Sequence, residues 1–375
     1  MASTASPNFF ARLRMAKPKT TCSKNPDALR IGILGAANIA PTALINPAKS
    51  MKSIIVVSVA ARDQEKAKAY AKTHDIPNTH PSYDAIINDP EIDCIYNPLP
   101  NGLHFEWTRK ALEAGKHVLL EKPATSNAAQ TKILFDLAKA KNRVLLEAFH
   151  YRFHPASIFF RQLLQDHIAE GHVLQKVESI MSWPSFFPKD DIRFNFALAG
   201  GIMMDCGCYT LNSIRYFSGL EVESVQEARP KIVSPEIDGR MDAVVNLSGS
   251  HSPGAIGKLT ASLTNPYFSI DTWRNILPSF TAETDTKIFT FGVFVMPTAY
   301  HYITVKDKAT GKVENLPKVY AEGYSTYRYQ LEAFVSAVKG ANTDSIPGWV
   351  SAEDSFKNMT AVDDIYRSAG LKIRE

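Results

Sequence analysis

Lys122 stands in Glu121-Lys122-Pro123, after a short apolar run. Asp205 and Tyr209 stand four residues apart in GGIMMDCGCY, residues 200–209. On a helix that spacing puts Asp205 and Tyr209 on one face. An ammonium, a carboxylate and a phenol are the parts needed to take a hydroxyl proton while a hydride leaves the same carbon. A phenol titrates near ~10 in water, and a neighbouring ammonium favours the phenolate. The pattern therefore predicts Tyr209 as base, with its pKa lowered by Lys122. Asp205 would orient Lys122 or the reacting hydroxyl. With Lys122 supplying positive charge, no metal is required. Each residue also has a purely structural reading: a solvated lysine at a strand end, an aspartate capping a helix, a core phenol with a satisfied hydroxyl.

A hydride needs an acceptor, and the chain offers a place for one. Residues 29–34 form an apolar run that leads into Gly35-Ala36-Ala37-Asn38-Ile39-Ala40. This is a G-x-A-x-x-A form of the dinucleotide fingerprint. Gly35 permits the strand-to-helix turn, Ala37 lets pyrophosphate approach the backbone, and Ala40 lets helix and strand pack closely. Asn38 and Ile39 fall in the same turn, whose N–H groups point at phosphate. The next strand ends Ala60-Ala61-Arg62-Asp63, where the adenosine ribose is read. Arg62 suits a 2′-phosphate, so NADP is expected ahead of NAD. Asp63 has a rival role as the N-cap of the following helix. Pro98, Asn101 and His104 in NPLPNGLH, together with Glu121 and Lys122, follow further strands and complete the expected cofactor set. For His104, cofactor contact and helix capping stand side by side.

The elements that must position these groups alternate. Strands are expected at 29–34, 54–61, 92–97, 117–121 and 143–148, and helices at 63–74, 104–114 and 128–141. Strand–helix alternation implies right-handed crossovers and a doubly wound parallel sheet. Beyond residue 150 the texture changes. Strands are expected at 176–183, 224–228, 241–248, 256–264, 287–295 and 302–306, with few helices between them. That is the pattern of a mostly antiparallel sheet in a second domain. Helices are expected at 153–165, 207–217, 327–338 and 352–368. The division is 1–26 as an extension, 27–150 as the dinucleotide domain and 151–375 as the substrate and oligomerisation domain. The last helices are free to pack on either domain. His150 and Arg152 follow the strand at 143–148 and so emerge near the cleft. Substrate contact is expected of both, with a structural ion pair the alternative for Arg152. Trp183, Tyr267 and Trp273 are candidates to wall the pocket. A sheet with one face left for burial predicts a homodimer through the second domain.

Composition narrows the classes further. The 375 residues are 45% hydrophobic and 21% charged, ordinary globular values. No apolar run reaches the ~18 residues of a membrane helix. The net charge of +4 is concentrated in the first 26 residues, which are basic and free of acids. The rest is nearly balanced, so neither nucleic acid nor an anionic membrane is expected as a partner. The basic segment is read as a solvated arm that packs Phe9 and Phe10, or alternatively as a mitochondrial signal on an otherwise cytoplasmic protein. Four cysteines make no disulfide framework. Cys206 and Cys208 lack a second cluster to complete a zinc site, and both read as small buried residues.

Taken together, GAANIA, NPLPNGLH, GKHVLLEKP, EAFHYRFHP and GGIMMDCGCY resemble the glucose–fructose oxidoreductase/inositol dehydrogenase (Gfo/Idh/MocA) family. The similarity is strongest to its D-xylose 1-dehydrogenase and dimeric dihydrodiol dehydrogenase branches. It runs continuously from about residue 29 to 219. The resemblance implies a Rossmann domain followed by a C-terminal α+β domain with a large open sheet, and hydride transfer to nicotinamide. It places the family's catalytic lysine, aspartate and tyrosine on Lys122, Asp205 and Tyr209. The implied activity is NADP-dependent oxidation of a sugar hemiacetal, D-xylose or a related aldose, at C1 to the lactone. The alternatives are a trans-1,2-dihydrodiol dehydrogenase and a non-catalytic dinucleotide sensor.

Overall fold

A computed structural model describes residues 21–184, 187–188, 190–249, 252–265 and 277–375. Residues 1–20 of the N-terminal arm, with Phe9 and Phe10, and the candidate wall residues Tyr267 and Trp273 lie outside the described residues; the rest of the arm is tied to the first lobe, where Lys24 donates to the Ala48 and Met51 carbonyls at 2.6 Å.

The first lobe opens with β1 (Leu29–Leu34), whose last four residues are buried. A wide helical turn at Pro41–Ile45 runs into α1 (Asn46–Lys49). There follow β2 (Ile54–Ala60), α2 (Gln64–His74), β3 (Asn78–His80), α3 (Tyr83–Asn88), β4 (Cys94–Asn97), α4 (His104–Glu113), β5 (His117–Leu120), α5 (Ala128–Ala140) and β6 (Leu145–Glu147). The strands pair in parallel in the order β3-β2-β1-β4-β5-β6. This is the doubly wound arrangement, with the strand order reversing between β1 and β4. The expected strands and helices all recur here with ends moved by a few residues. The exceptions are β3 and α3, which the sequence reading missed. Both are short, and β3 is a three-residue polar edge strand without an apolar pattern.

The second lobe comprises α6 (Pro155–Ala169), β7 (Leu174–Pro184), α7 (Cys208–Ser218), β8 (Glu221–Ser234), β9 (Ile237–Ser248), β10 (Ile256–Asn265), β11 (Ser279–Thr284), β12 (Lys287–Gly292), β13 (Tyr302–Asp307), β14 (Val313–Asn315), α8 (Thr326–Val338) and α9 (Ala352–Ser368). Its eight-stranded sheet is antiparallel apart from the β7–β10 pair, in the order β14-β13-β12-β11-β7-β10-β9-β8. Register explains why one face is covered. Ala243, Leu259, Phe280, Phe291 and Ile303 fall on buried positions across five strands. Phe160 of α6 and Phe217 of α7 pack onto that face, with Phe217 and Phe280 rings 4.9 Å apart. The opposite face carries Val244, Lys258, Glu178, Thr281, Thr290 and Thr304 in one row, all at least partly exposed.

The last two helices reach back to the first lobe. Asp363 of α9 accepts the Ala128 N–H at the start of α5 (3.0 Å), and Arg328 of α8 donates to Ser50 Oγ (3.2 Å). Near the C-terminus, Asn127 donates to the Arg374 carbonyl at 2.9 Å. The Arg374 side chain is fully buried in an ion pair with Asp238 (3.0 Å).

Candidate active site

The carboxyl ends of β4 and β5 face the second lobe across a cleft of about 340 Å³. From the first lobe come Ile39, Pro98, Asn101, His104, Glu121 and Lys122; from the second come Met181, Trp183, Arg193, Asp205, Tyr209 and Tyr327. His150 also lines it. The three residues picked out for chemistry thus meet in one cleft, from segments more than eighty residues apart.

Local structure explains how. Lys122 follows β5, and its peptide bond to Pro123 is cis. Asp205 sits in a wide helical turn, Met203–Gly207, that runs into α7. That turn is anchored from below. Asp238 accepts the Met203 N–H at 2.8 Å, and Arg374 Nε donates to the Gly200 carbonyl at 2.8 Å. Gly201 has φ +122°, and a Cβ there would run into Asp238 and Arg374. Glycine is therefore required at that position, both for its backbone angle and for the close approach. Asp205 is not a helix N-cap. Its Oδ1 accepts from Lys122 Nζ at 2.8 Å and its main-chain oxygen from the same ammonium at 2.9 Å. Its Oδ2 accepts from Arg193 Nε at 2.6 Å, and Arg193 also pairs with Asp191 at 3.0 Å.

Burial alone would neutralise these groups, raising the Asp205 pKa and lowering that of Lys122. The mutual field is stronger. Lys122 and Arg193 hold Asp205 far below the usual carboxylate range, and Asp205 holds Lys122 above the usual lysine value. The pair is therefore fixed in its charged form.

The expectation that Lys122 lowers the Tyr209 pKa is overturned. The Lys122 ammonium lies 5.0 Å from the Tyr209 ring centroid, but its charge is matched by Asp205. Burial then dominates, and with Tyr327, Glu121, Cys208 and Asp205 nearby it pushes the phenol well above its ordinary value. The phenol is protonated in the free protein at neutral pH.

His150 belongs to the wall as a neutral ring. Its Nδ1 is 2.8 Å from Thr326 Oγ1, its ring lies 4.0 Å from Tyr327, and burial pushes its pKa down to about 3. Arg152 must be corrected as a substrate residue. It is buried away from the cleft in an ion pair with Asp354, donates to the Trp349 carbonyl at 2.8 Å and covers the Tyr216 ring. His104 is no cap either. Its ring is fully buried between the Pro123 carbonyl (Nδ1, 2.8 Å) and the Leu99 carbonyl (Nε2, 2.7 Å), so it braces the two cleft loops. Burial pushes its pKa down to about 4, outweighing the two carbonyls that favour the cation. Glu121 is raised by burial and accepts the Tyr96 hydroxyl at 2.7 Å. Asn101 spends its amide on the Ala199 carbonyl of the second lobe at 3.2 Å. Cys206 and Cys208 are buried thiols, as expected.

The remaining cofactor candidates follow the ends of two adjacent strands, β1 and β2, with Ile39 at the mouth of the cleft. Gly35 turns the chain after β1 with φ +85° and donates its N–H to the Ala60 carbonyl at 2.7 Å. Tyr70 pins the Ala37 carbonyl at 2.8 Å. Asn38 and Ile39 are exposed at the turn, Ile39 at 38%. An apolar side chain left open at the cleft mouth has room to cover a flat ring. Arg62 is exposed after β2. Asp63 is committed as the N-cap of α2, accepting the Lys66 N–H at 3.1 Å. Among the described residues Arg62 is then an exposed charge left available at the end of β2. These residues fit a dinucleotide lying across β2 and β1 toward Lys122. Sequence reasoning missed Arg193 and Tyr327. Arg193 lies in a loop with no periodic pattern, and Tyr327 looks like any aromatic in an amphipathic helix.

A doubly wound dinucleotide-type lobe joined to an open-sheet lobe, with an ammonium–carboxylate pair at their junction, defines a two-domain oxidoreductase architecture. Residues 29–149 match the family described as GFO_IDH_MocA, an oxidoreductase family with an NAD-binding Rossmann fold, and residues 162–276 match the GFO/IDH/MocA C-terminal domain. The chain is 33% identical over 345 residues to D-xylose 1-dehydrogenase (NADP(+)) 2 of Haloferax volcanii, covering 91% of this chain and 97% of that one. The chain belongs to the Gfo/Idh/MocA family. It is also 33% identical over 214 residues to trans-1,2-dihydrobenzene-1,2-diol dehydrogenase of Xenopus tropicalis, covering 56% of this chain and 62% of that one. Its fold matches that of KijD10, a 3-ketoreductase from Actinomadura kijaniata solved with NADP and TDP-benzene. That match has a TM-score of 0.76 and 24% identity, covering 91% of this chain and 98% of that one.

Proposed function

We propose that this protein is an NADP-dependent dehydrogenase that oxidises an aldose, D-xylose or a close relative, at C1 to its lactone. The observation that carries this is the charged Lys122–Asp205 pair at 2.8 Å on the cleft wall, with the Tyr209 ring beside it. The full-length similarity to an NADP-linked xylose dehydrogenase supports the substrate class. Bound NADP supplies the hydride acceptor. Gly35, Ala37, Asn38 and Ile39 would hold its pyrophosphate end and Arg62 its 2′-phosphate. Pro98, Asn101, His104, Glu121 and Lys122 would border its nicotinamide end.

This chain's own work is proton transfer and orientation. Lys122 keeps its proton and donates a hydrogen bond to the sugar hydroxyl, lowering that hydroxyl's pKa. Asp205 fixes the ammonium in place. Tyr209 exchanges the proton as general base in oxidation and as general acid in reduction. Its raised pKa makes it the better acid in the free protein. A cationic neighbour at the reacting centre is what would bring it down.

A diol is the second reading. Met181, Trp183, Leu277, Val295 and Met296 make much of the cleft wall apolar, which suits an unsaturated ring diol. Reduction of NADP⁺ with D-xylose, D-glucose and a trans-dihydrodiol, run in parallel, separates the two. Turnover of the diol alone would overturn the sugar assignment. No turnover with any of them, despite NADPH binding, would favour a sensor. The half-exposed row on the second sheet suits a homodimer through that face, and sedimentation showing only monomer would refute it.

A further inference from the structure

We infer that the far end of the second lobe carries a transition-metal site, formed by His167, His172 and Asp285, that takes a zinc-like divalent ion. One nitrogen from each imidazole and one Asp285 oxygen lie within 4.8 Å of one another. His167 is on the last turns of α6, His172 is on the turn between α6 and β7, and Asp285 is in the β11–β12 turn. The two rings stack at 3.9 Å and 15°. His167 Nε2 and His172 Nδ1 both face the Thr286 hydroxyl, at 3.3 and 3.2 Å, and His172 Nδ1 is 3.3 Å from Asp285 Oδ1.

An imidazole offers a nitrogen lone pair, and two imidazoles with one carboxylate make a three-ligand set that leaves a fourth position for water. The other nitrogen of His167, Nδ1, lies 3.8 Å from the exposed Glu170 carboxylate, beyond hydrogen-bond distance. The Asp285 N–H is tied to the Val173 carbonyl at 3.0 Å, which holds the two turns together. His167 is 5% exposed and fixed, whereas His172 and Asp285 are more open. Zinc ligation at ~2.0–2.1 Å would draw the three donors closer together around the ion, and the two more open side chains, His172 and Asp285, have the room to adjust.

β7 begins beside this cluster at Leu174 and reaches the cleft at Trp183, roughly 30 Å on at the rise of a strand. The ion would act as a clip between α6 and the β11–β12 hairpin, separate from the dehydrogenase chemistry. Full-length protein stripped with a chelator and titrated with zinc chloride should bind one equivalent, and its thermal midpoint should rise in zinc excess. His172→Ala and Asp285→Asn should each weaken binding about tenfold or more. Both should leave the metal-free midpoint and the activity unchanged. Cobalt(II) in the same site should give visible d–d bands without a thiolate charge-transfer band. Absence of saturable binding, retained affinity in either variant, or a thiolate band would overturn the assignment.

Discussion

Replacing Asp205 by Asn removes one charge and keeps the shape. The carboxylate is shared by Lys122 Nζ at 2.8 Å and Arg193 Nε at 2.6 Å. An amide can turn its oxygen to only one of them, so the other meets an NH₂, donor against donor. Side-chain exposures of 15% for Lys122, 20% for Asp205 and 28% for Arg193 make the cluster mostly buried. Leaving Lys122 without its counter-charge, and Arg193 with Asp191 alone, should cost about 3 kcal/mol, the low end for a broken buried pair because some solvent screening remains. For a chain of 375 residues that is a fall of roughly 4 °C in the thermal midpoint. A second effect has the opposite sense. Asp205 is among the groups that raise the Tyr209 pKa, so its loss should lower it. Oxidation needs the phenolate, so the rising limb of kcat/KM against pH should move to lower pH, even as the plateau falls. Circular dichroism melts and the pH profile test both parts. A variant with the parent's melting point and an unmoved limb would refute the electrostatic account of the cleft.

Tyr209→Phe should cut turnover by about 10²–10⁴-fold while NADPH binding, read by fluorescence, barely changes; a variant with near-parental kcat would remove the phenol from the mechanism. Arg62→Ala should weaken NADPH about tenfold to a hundredfold, the worth of a charge-assisted phosphate contact, and leave NADH nearly untouched. Equal losses for the two cofactors would end its phosphate role. Glu147, fully buried at the end of β6, is pushed by burial up to about 7 while its Oε1 accepts the Ala124 N–H. The folded state therefore holds this proton more tightly than the unfolded chain. The stabilisation is complete below the ordinary glutamate range and is lost as pH rises through about 7, an effect of about 3 kcal/mol. Urea unfolding of Glu147→Gln at pH 5 and pH 8 should show that slope gone, and an unchanged slope would assign it elsewhere.

Much of the first lobe was legible because its strands are short apolar runs with most residues buried, and α2 and α5 open on capping side chains. Asp63 and Asn127 both accept the N–H of the third residue of their helices, as their types suggest. The strand β11 was missed although its burial alternates residue by residue, because Thr281 and Glu283 dilute the apolar signal in six residues. The trio was legible by type and spacing. Its electrostatics were not, because Arg193 approaches from a loop and pairs with Asp205 only after the chain has folded. Arg152 shows the same limit from the other side. Leaving a strand near the cleft gives no sign that Asp354, two hundred residues on, turns the guanidinium away.

The geometry of Lys122 restricts what it can offer a substrate. An ammonium has three N–H donors. Two go to Asp205, one to its carboxylate and one to its main-chain oxygen. One donor remains for the cleft, and its direction is set by the other two. A single, oriented, permanently charged donor can grip one hydroxyl and lower its pKa, but it cannot accept that hydroxyl's proton. Asp205, held far below its usual range, cannot accept it either. On the proposed mechanism the proton then goes to a phenol of the cleft wall, and Tyr209, whose ring centroid is 5.0 Å from this ammonium, is the candidate. Tyr327, also on the cleft wall and also raised by burial against the opposing pull of Lys122, lies tilted over the His150 ring and is the rival phenol. On this argument Tyr327→Phe keeps the alkaline limb of the pH profile, whereas Tyr209→Phe abolishes it.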